Sequence, residues 1–321
     1  MYETVSVIIP THDRPHFLAR AVASVLAQTY PHVEVVVVDD NMPGTPMRTQ
    51  TQAVMRQFRD NPRVQYILGD RPVGGGPARN RGIEAAKGTY VTFLDDDDIY
   101  LPQKVETQLR FTIDHDLQMS FTDVYLRDGK DRLVEYRRHS YVTDWSNAEL
   151  MRQHILHSLG PTSTFMVRRD VILEAGGFAD VPMGQDFMLM WRMIEFGTRI
   201  GYFPVSYIVQ YLHDGDRISV GKSKFDGENR LYQLKKTKMN ILTPEEKRYV
   251  DFRYNAVLAV TAKRSGMPWM FLRYGLRAVS ISPKFFFAEL RTMQRNRQQA
   301  NGNTAKTGQC LPENAKGSLC K

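Results

Sequence analysis

The chain contains 321 residues, of which 42% are hydrophobic, so it can bury the core of one large domain or of two smaller ones. Its only two cysteines, Cys310 and Cys320, lie in a polar tail, which excludes a disulfide framework and fits a reducing compartment. No run of about 18 uncharged apolar residues occurs, and the N-terminus leads directly into an apolar run. We therefore expect neither a membrane-spanning helix nor a signal peptide.

The net charge of +8 is distributed unevenly along the chain. Residues 1–216 carry a net charge of −6, whereas residues 217–297 carry +12. This asymmetry predicts an acidic half that holds a metal ion and a basic half that meets an anionic partner. We accordingly expect a first domain at residues 1–216, a basic helical region at 217–297 and a polar, disordered tail at 298–321.

The first half of the chain alternates between short apolar runs and segments with helical spacing. The apolar runs predict strands at residues 5–9, 33–38, 64–68 and 89–94. The segments between and after them predict helices at residues 15–28, 49–58, 74–86 and 102–112. This order predicts an α/β fold with a mostly parallel sheet flanked by helices.

Polar residues suited to ligand binding follow each predicted strand. In sheets of this kind, ligands bind beyond the carboxyl ends of the strands. The segments that this rule gathers at one edge are residues 10–13, 39–40, 74–80 and 95–98. Because a random scatter of acidic turns would not repeat this pattern, we expect a binding site at that edge.

Four consecutive carboxylates, Asp95 to Asp98, follow the fourth predicted strand. Each adjacent pair repels by roughly 3 kcal/mol at about 5 Å and an effective dielectric of about 20. A bound cation would offset this repulsion, and oxygen-only ligands suit Mg²⁺ or Mn²⁺ shared with substrate phosphates. The alternative is an acidic surface turn.

Two other strand ends carry groups that suit a nucleotide. Asp39 and Asp40 either accept hydrogen bonds from a nucleobase or ribose, or cap a strand-end turn. The glycines at 74–76 open a helix whose N–H groups attract anions, although as a nucleotide motif the segment is weak. Arg79 opposes the dipole of that helix, which indicates an anionic neighbour unless it is a surface arginine.

Two later residues are candidates for reaction chemistry. Asp186 lies in the first turn of a predicted helix, where it either caps the helix or acts as a base toward a substrate hydroxyl. His213 follows a strand-like run at residues 205–211 and either has a structural role or completes a metal shell.

Taken in chain order, these segments resemble glycosyltransferase family 2. The resemblance extends over about residues 4–215, and the motifs that carry it lie at residues 6–14, 28–30, 34–41, 82–88 and 92–102. The Gly176-Gly177-Phe178 segment before Gln185-Asp186 is similar to the acceptor-side segment of the family. This resemblance implies an inverting enzyme with the GT-A fold, a Rossmann-like α/β arrangement, here with a C-terminal helical extension.

The resemblance also implies donor-binding roles for individual positions. The positions similar to those that contact uracil and ribose are Pro10, Thr11, His12 and Asp40, with Asp39 beside them. Arg79 and Asn80 match the phosphate-side helix start.

The resemblance assigns the remaining positions to the metal and the reaction. Asp97 looks like the metal ligand of the DxD-type motif, and Asp95 or Asp96 like a ribose or diphosphate contact. Asp186 matches the catalytic base, and His213 is similar to a histidine that some members use near the metal. The base usually follows a glutamate, but here it follows Gln185. A glycine or serine often follows the acidic pair, where this chain has Asn41.

The basic second half is predicted to be mostly helical between residues 222 and 295. Two aromatic clusters interleaved with arginine and lysine, at residues 269–281 and 284–291, are typical of helices that lie on an anionic membrane. Packing of the same helices against the first domain is an equally good and compatible interpretation. No recognition motif accompanies the positive charge, so we expect no nucleic-acid partner.

These observations predict a cytoplasmic glycosyltransferase that depends on Mg²⁺ or Mn²⁺, with peripheral attachment to the inner face of the membrane as an option. It would move a sugar from a nucleotide sugar, most simply a UDP-sugar, to a saccharide or lipid-linked acceptor in cell-surface polysaccharide or lipopolysaccharide assembly. The alternatives are a sugar nucleotidyltransferase and a non-catalytic, membrane-associated binding module of the same fold.

Overall fold

The structure is a computed structural model that describes residues 3–212 and 222–291. Its strands are β1 (Val5–Thr11), β2 (Val33–Asp39), β3 (Val64–Leu68), β4 (Tyr90–Phe93), β5 (Ile99–Tyr100), β6 (Met119–Thr122), β7 (Val124–Asp128), β8 (Leu133–Arg137), β9 (Met166–Arg168), β10 (Ile200–Phe203) and β11 (Ile208–Leu212). Its helices are α1 (Pro15–Leu26), α2 (Pro46–Met55), α3 (Gly75–Ala85), α4 (Lys104–Asp114), α5 (Asn147–His157), α6 (Arg169–Glu174), α7 (Gln185–Glu195), α8 (Lys222–Thr237), α9 (Pro244–Arg264) and α10 (Pro268–Ile281). Residues 283–291 are also helical.

The strands form a large sheet and a smaller one. The large sheet has the order β10-β6-β9-β4-β1-β2-β3, and only β9 within it runs antiparallel to its neighbours. The smaller sheet has the order β5-β11-β7-β8. The mostly parallel sheet expected from the sequence is therefore confirmed. Its central strand is β4, which leads into the acidic run, and β1 lies beside it.

The large sheet is buried on both faces, which explains the nearly continuous apolar runs in β1 and β2. Ile8 and Val36 belong to one core cluster with residues of α3 and α7. Val7 and Val35, one residue earlier on each strand, belong to a second cluster with residues of α1. Successive side chains of a strand point to opposite faces, so each strand contributes to both cores.

Several predicted boundaries are wrong by one to three residues, and two of them have a clear local cause. The first strand does not end at Pro10 but continues to Thr11, with Pro10 opposite Val38 of β2. On its other side, pairing with β4 ends at Ile8, so the missing N–H of proline interrupts no ladder there. Helix α2 begins at Pro46 because the side chain of Thr45 accepts a hydrogen bond from the backbone N–H of Arg48 at 3.3 Å.

The basic region is helical as predicted, up to residue 291, and it packs on the first half of the chain. Leu242 and Val250 belong to the main core cluster, and Arg152 of α5 forms an ion pair with Glu246 of α9. Glu246 also completes a capping box with Thr243 at the start of α9. Packing on the first half is thus shown for residues 242–250, whereas α10 and residues 283–291 contact α8 and α9. The packing of these last two helices on the first domain stays a prediction, as does the division into domains.

Some predictions fall on residues that the structure does not describe. His213, the two cysteines and the tail at 298–321 lie outside the described residues. Within the described ranges, no helix combines the length and the apolar character needed to cross a bilayer.

Candidate active site

The acidic run after β4 gathers into a cluster of carboxylates at the expected edge of the sheet. One carboxylate oxygen from each of Asp95, Asp97 and Asp98 lies within 4.8 Å of the others. Asp98 is buried and accepts a hydrogen bond from the backbone N–H of Tyr211 at 3.0 Å. Its burial, followed by the charges of Asp97 and Asp95, raises the pKa of the Asp98 carboxyl well above its usual value.

Asp96, the remaining member of the run, points away from the cluster into the protein. It is fully buried and accepts a hydrogen bond from the Thr11 hydroxyl at 2.8 Å. Burial raises the pKa of the Asp96 carboxyl to about 7, and the nearby charge of Arg14 opposes this rise. Asp96 therefore connects the first loop to the acidic run, whereas Asp95 and Asp97 remain partly exposed.

Two arginines that the sequence analysis left without a role hold the acidic run in place. Arg14 forms ion pairs with Asp96, at 3.1 Å, and with Asp97. Arg20 donates a hydrogen bond to the backbone carbonyl of Asp97 at 2.6 Å. A sequence signal for Arg14 was available. Arg14 lies in the loop after the first strand, and a cation there can pair with the carboxylates that follow the neighbouring strand.

The predicted nucleotide positions after β1 and β2 lie together. The His12 ring nitrogen Nδ1 is 2.9 Å from the backbone carbonyl of Asp40, and the Asp40 carboxylate accepts hydrogen bonds from the backbone N–H groups of Val73 and Gly74. Asp40 thus joins the end of β2 to the loop that precedes α3. A ligand donor at Asp40 would share the carboxylate with these backbone groups.

Asp39 is placed differently from its neighbour. It has no exposed surface, and its carboxylate is engaged by Asn41, Arg48 and the hydroxyl of Tyr66. We predicted that Asp39 stands beside the nucleotide. The structure instead shows that its carboxylate faces the interior, where it fixes the turn that presents Asp40.

Arg79 and Asn80 bridge the donor-side elements to the segment before the candidate base. Arg79 is buried, forms an ion pair with Asp95 and donates a hydrogen bond to the side-chain oxygen of Gln185 at 2.8 Å. Asn80 exchanges two hydrogen bonds with the backbone of Phe178, at 2.8 and 2.9 Å. Asn80 therefore holds the Gly176-Gly177-Phe178 segment against α3.

Asp186 follows Gln185 at the start of α7 and lies on the same side of the sheet as the acidic cluster. Its carboxylate accepts a hydrogen bond from the backbone N–H of Phe187 at 2.8 Å. Burial raises the pKa of the Asp186 carboxyl, while the Phe187 N–H and the charge of Arg79 lower it. The chain of contacts from Asp95 through Arg79 to Gln185 places this carboxylate close to the cluster, although the two are 88 or more residues apart in sequence.

A buried histidine supports the residue after Asp186 from behind. His154 of α5 stacks on the Phe187 ring with centroids 4.1 Å apart. The backbone N–H of Leu159 donates to Nδ1 of His154, so the proton lies on Nε2, which donates to the Phe187 carbonyl at 3.0 Å. Burial lowers the pKa of His154 to about 3, so the ring is neutral at physiological pH. We find no sequence signal for this contact.

The acidic cluster has the donor set of a hard divalent cation. Its three carboxylates offer only oxygen ligands, and each already has a protein partner that orients it: Arg79 for Asp95, Arg14 for Asp97 and Tyr211 for Asp98. Oxygen ligands at this spacing fit Mg²⁺ or Mn²⁺. The residues present therefore fit the cation that the sequence analysis predicts.

The family can now be stated from a comparison with known proteins. The model of the family described as Glycosyl transferase family 2 matches residues 6–176, which is more than half of the chain. The chain belongs to glycosyltransferase family 2. The matched region of this family 2 chain runs from β1 through the acidic run to α6.

Relatives of this family 2 chain occur among curated bacterial proteins. A putative teichuronic acid biosynthesis glycosyltransferase of Bacillus subtilis, TuaG, is 35% identical over 129 residues, which cover 39% of this chain and 49% of TuaG. Glycosyltransferase GlyG of Streptococcus pneumoniae is 31% identical over 159 residues, which cover 49% of this chain and 50% of GlyG. An uncharacterized glycosyltransferase of Rickettsia felis is 28% identical over 194 residues, which cover 60% of this chain and 31% of the relative. The chain thus spans about a third to a half of the length of these relatives.

The fold of this family 2 chain also resembles solved structures of S. aureus TarS. A crystal structure of TarS residues 1–349 in complex with UDP-GlcNAc has a TM-score of 0.57 at 15% sequence identity, over 94% of this chain and 92% of that chain. The same region of TarS in complex with UDP has a TM-score of 0.53. This likeness confirms the GT-A fold predicted from the sequence.

Proposed function

We propose that this chain is a metal-dependent inverting glycosyltransferase that moves a sugar from a UDP-sugar to a saccharide or lipid-linked acceptor. The observation that carries the proposal is the contact chain from Asp95 through Arg79 to Gln185, beside Asp186. It brings a cation site for a diphosphate and a carboxylate base within one site. The family match and the nucleotide complexes of TarS support the donor class.

The donor would bind across the ends of the first four strands. Pro10, Thr11, His12 and Asp40 are proposed to contact the nucleoside, and Asp39 to hold the turn behind it. Asp95, Asp97 and Asp98 would hold the divalent cation, which supplies positive charge to the leaving diphosphate. Arg79 would stabilise the same negative charge, with Asn80 holding its helix in place. His213 stays a proposed further ligand.

Asp186 is proposed to act as the general base. Its carboxylate takes the proton of the acceptor hydroxyl while that oxygen forms a bond to the anomeric carbon. The bond between the anomeric carbon and the diphosphate oxygen breaks, and its electron pair leaves with the nucleoside diphosphate. Attack from the face opposite the leaving group inverts the configuration without a covalent enzyme intermediate.

A donor screen tests this proposal. The purified chain is incubated with Mn²⁺ and a panel of UDP- and GDP-sugars, and release of the nucleoside diphosphate is measured without acceptor. We expect slow hydrolysis of at least one UDP-sugar, because water can replace the acceptor at Asp186. If UDP does not bind in the presence of Mn²⁺ and no sugar nucleotide is consumed, the proposal is wrong.

The cellular setting is proposed from the same relatives and from the C-terminal helices. The description of TuaG as a putative teichuronic acid biosynthesis glycosyltransferase supports a proposed role in polysaccharide assembly. Attachment to the inner face of the membrane is proposed from the surface of α10. Trp269, Leu272 and Leu276 are exposed and recur at helical spacing on α10, with Arg273 and Arg277 beside them. Such a surface suits the interface of an anionic bilayer.

Vesicle sedimentation tests this membrane surface. We expect the chain to bind vesicles with about 30% phosphatidylglycerol and not neutral phosphatidylcholine vesicles, because each basic residue near an anionic surface contributes about 1 kcal/mol. The variant W269S/L276S should bind clearly less, whereas V134S, an exposed apolar position on β8, should bind as the wild type does. Equal sedimentation of both variants would contradict the assignment.

The two alternatives are weaker. A sugar nucleotidyltransferase would not carry the family 2 match. A non-catalytic binding module of the same fold predicts that replacing Asp186 changes no activity, which the first prediction of the Discussion tests.

A further inference from the structure

A cavity of about 660 Å³ is lined in part by Asp186. Its walls come from α5, the start of α7, α8 and α9, and from β8 and the segment that follows it. This volume suits a sugar or a short saccharide. Phe187 and Tyr232 supply aromatic surface to the wall, and His139 contributes a buried ring nitrogen, Nε2, that lacks a hydrogen-bond partner among the described residues.

The wall formed by α8 is held firmly against the segment that leads into Asp186. A side chain at Gly227 of α8 would overlap Met183, and one at Gly184 would come within 2.9 Å of Leu231. Glycine at both positions lets the side chains of Met183 and Leu231 come this close, so α8 packs directly against the segment that leads into Asp186. Both α8 and α9 lie beyond residues 6–176, the part that the family model matches. The cavity is therefore a feature that the shared family region does not determine.

The lysine and arginine side chains that line this cavity differ in whether a carboxylate already forms an ion pair with them. Lys224 forms an ion pair with Glu228 at 2.5 Å, and Arg253 with Glu289 at 2.5 Å. Arg137 likewise pairs with Glu135 at 3.2 Å. Lys235 is the exception, because no carboxylate of residues 3–212 or 222–291 lies within ion-pair distance of its ammonium group.

The ammonium group of Lys235 lies next to the proposed reaction centre. Its nitrogen is 5.1 Å from the ring centroid of Phe187, the residue after Asp186. Burial lowers the pKa of Lys235 to about 8, which leaves the group mostly charged at neutral pH. The charge of Glu228 acts on Lys235 from beyond ion-pair distance and opposes this fall in pKa. An anion brought by a ligand would supply the direct ion pair that this partly desolvated ammonium group lacks.

Resting on the proposed function, we propose that this cavity is the acceptor site and that Lys235 binds an acidic group of the acceptor. The group is a phosphate or a carboxylate, and it lies near the hydroxyl that Asp186 activates. The aromatic side chains of the wall contact the sugar rings, and His139 takes one hydroxyl. Lys235 is thus a specificity-determining residue for an acidic saccharide.

Three acceptor probes that differ only at carbon 6 test the proposal: methyl β-glucoside, methyl β-glucuronide and methyl β-glucoside 6-phosphate. Their affinities for the full chain, with UDP and Mn²⁺ present, are measured by ligand-observed NMR at pH 7. We expect at least one charged probe to bind about tenfold more tightly than the neutral probe. The charged probe that binds more tightly shows whether the site prefers a phosphate or a carboxylate.

Variants of two adjacent lysines assign the preference to Lys235. Lys235→Met should remove it, whereas Lys235→Arg should keep it and show that the cavity remains folded. Lys236→Met is the matched control, because Lys236 is exposed and does not line the cavity. Equal binding of all three probes to the wild type, or a preference that survives in Lys235→Met, would overturn the inference.

Turnover of UDP-sugars, measured separately, distinguishes this inference from the proposed function. If a UDP-sugar is hydrolysed but the charged and neutral probes bind with equal affinity, only the acceptor assignment is contradicted. Charge-selective binding that depends on Lys235, with no consumption of any sugar nucleotide, would contradict the proposed function and leave an anionic saccharide site.

Discussion

Replacing Asp186 with asparagine should abolish sugar transfer while leaving UDP binding nearly intact. Asparagine has the same shape but cannot accept the hydroxyl proton, and general-base assistance contributes about 10²- to 10⁴-fold to the rate. The donor contacts lie on the other side of Arg79 and Gln185, so the affinity for UDP should change by less than about twofold. Steady-state transfer rates and calorimetric UDP binding measure the two quantities on the same sample.

The pH dependence of activity also tests the role of Asp186. Because burial raises the pKa of Asp186, the base loses its charge at a higher pH than an ordinary aspartate as the solution is acidified. The pKa read from the acid limb of the kcat/KM profile should therefore lie above the usual aspartate pKa of about 3.9. Activity should be present at pH values above that pKa and lost below it. Asp180→Asn, an exposed aspartate six residues earlier, should retain wild-type rates. Full activity of Asp186→Asn would favour the non-catalytic alternative.

Replacing Asp97 with asparagine should sharply weaken the dependence of activity on Mn²⁺. A carboxylate contributes a full charge to a hard cation and an amide does not, so we expect at least about tenfold more Mn²⁺ at half-maximal activity and a loss of about 10²-fold in kcat/KM. Chelation of the wild type with EDTA should remove activity, and added Mn²⁺ or Mg²⁺ should restore it. Metal titrations of donor hydrolysis measure both effects.

A matched control separates metal loss from general damage. Asp60→Asn changes an exposed aspartate between α2 and β3, and β3 is an edge strand that β1 and β2 separate from β4. This variant should leave the metal titration unchanged. A wild type that works fully in EDTA would show that the carboxylates of Asp95, Asp97 and Asp98 have another purpose. The cluster would then be held together by its contacts with Arg14, Arg20, Arg79 and the backbone N–H of Tyr211.

The sequence predicts the first half of the fold because each element there carries its own local signal. The strand that becomes β2 has valine at five of the six positions from 33 to 38, a pattern typical of a buried parallel strand. The smaller sheet and β9 could not be predicted in the same way. β5 has two residues and β9 has three, so their pairing depends on partners far along the chain rather than on local periodicity.

The candidate site shows the same division between local and distant information. Strand ends and charge patterns pointed to Asp40, Arg79, the acidic run and Asp186, which the structure brings to one edge. They could not show that Asp39 and Asp96 face the interior, since neighbouring aspartates look alike in sequence and a turn decides which one is exposed. The contact of Arg79 with Gln185 spans 106 residues, and no local pattern predicts it.

The amide of Asn80 limits how the chain can vary around the reaction centre. It meets the backbone of Phe178 through two hydrogen bonds, and a methyl group on Gly177 would come within 2.5 Å of its oxygen. An insertion or a larger residue at this point would push the segment that leads to Asp186, the proposed base, outward from α3. Insertions that arise during divergence should therefore accumulate on either side of this junction, in the β7–β8 hairpin for example, and spare the junction itself.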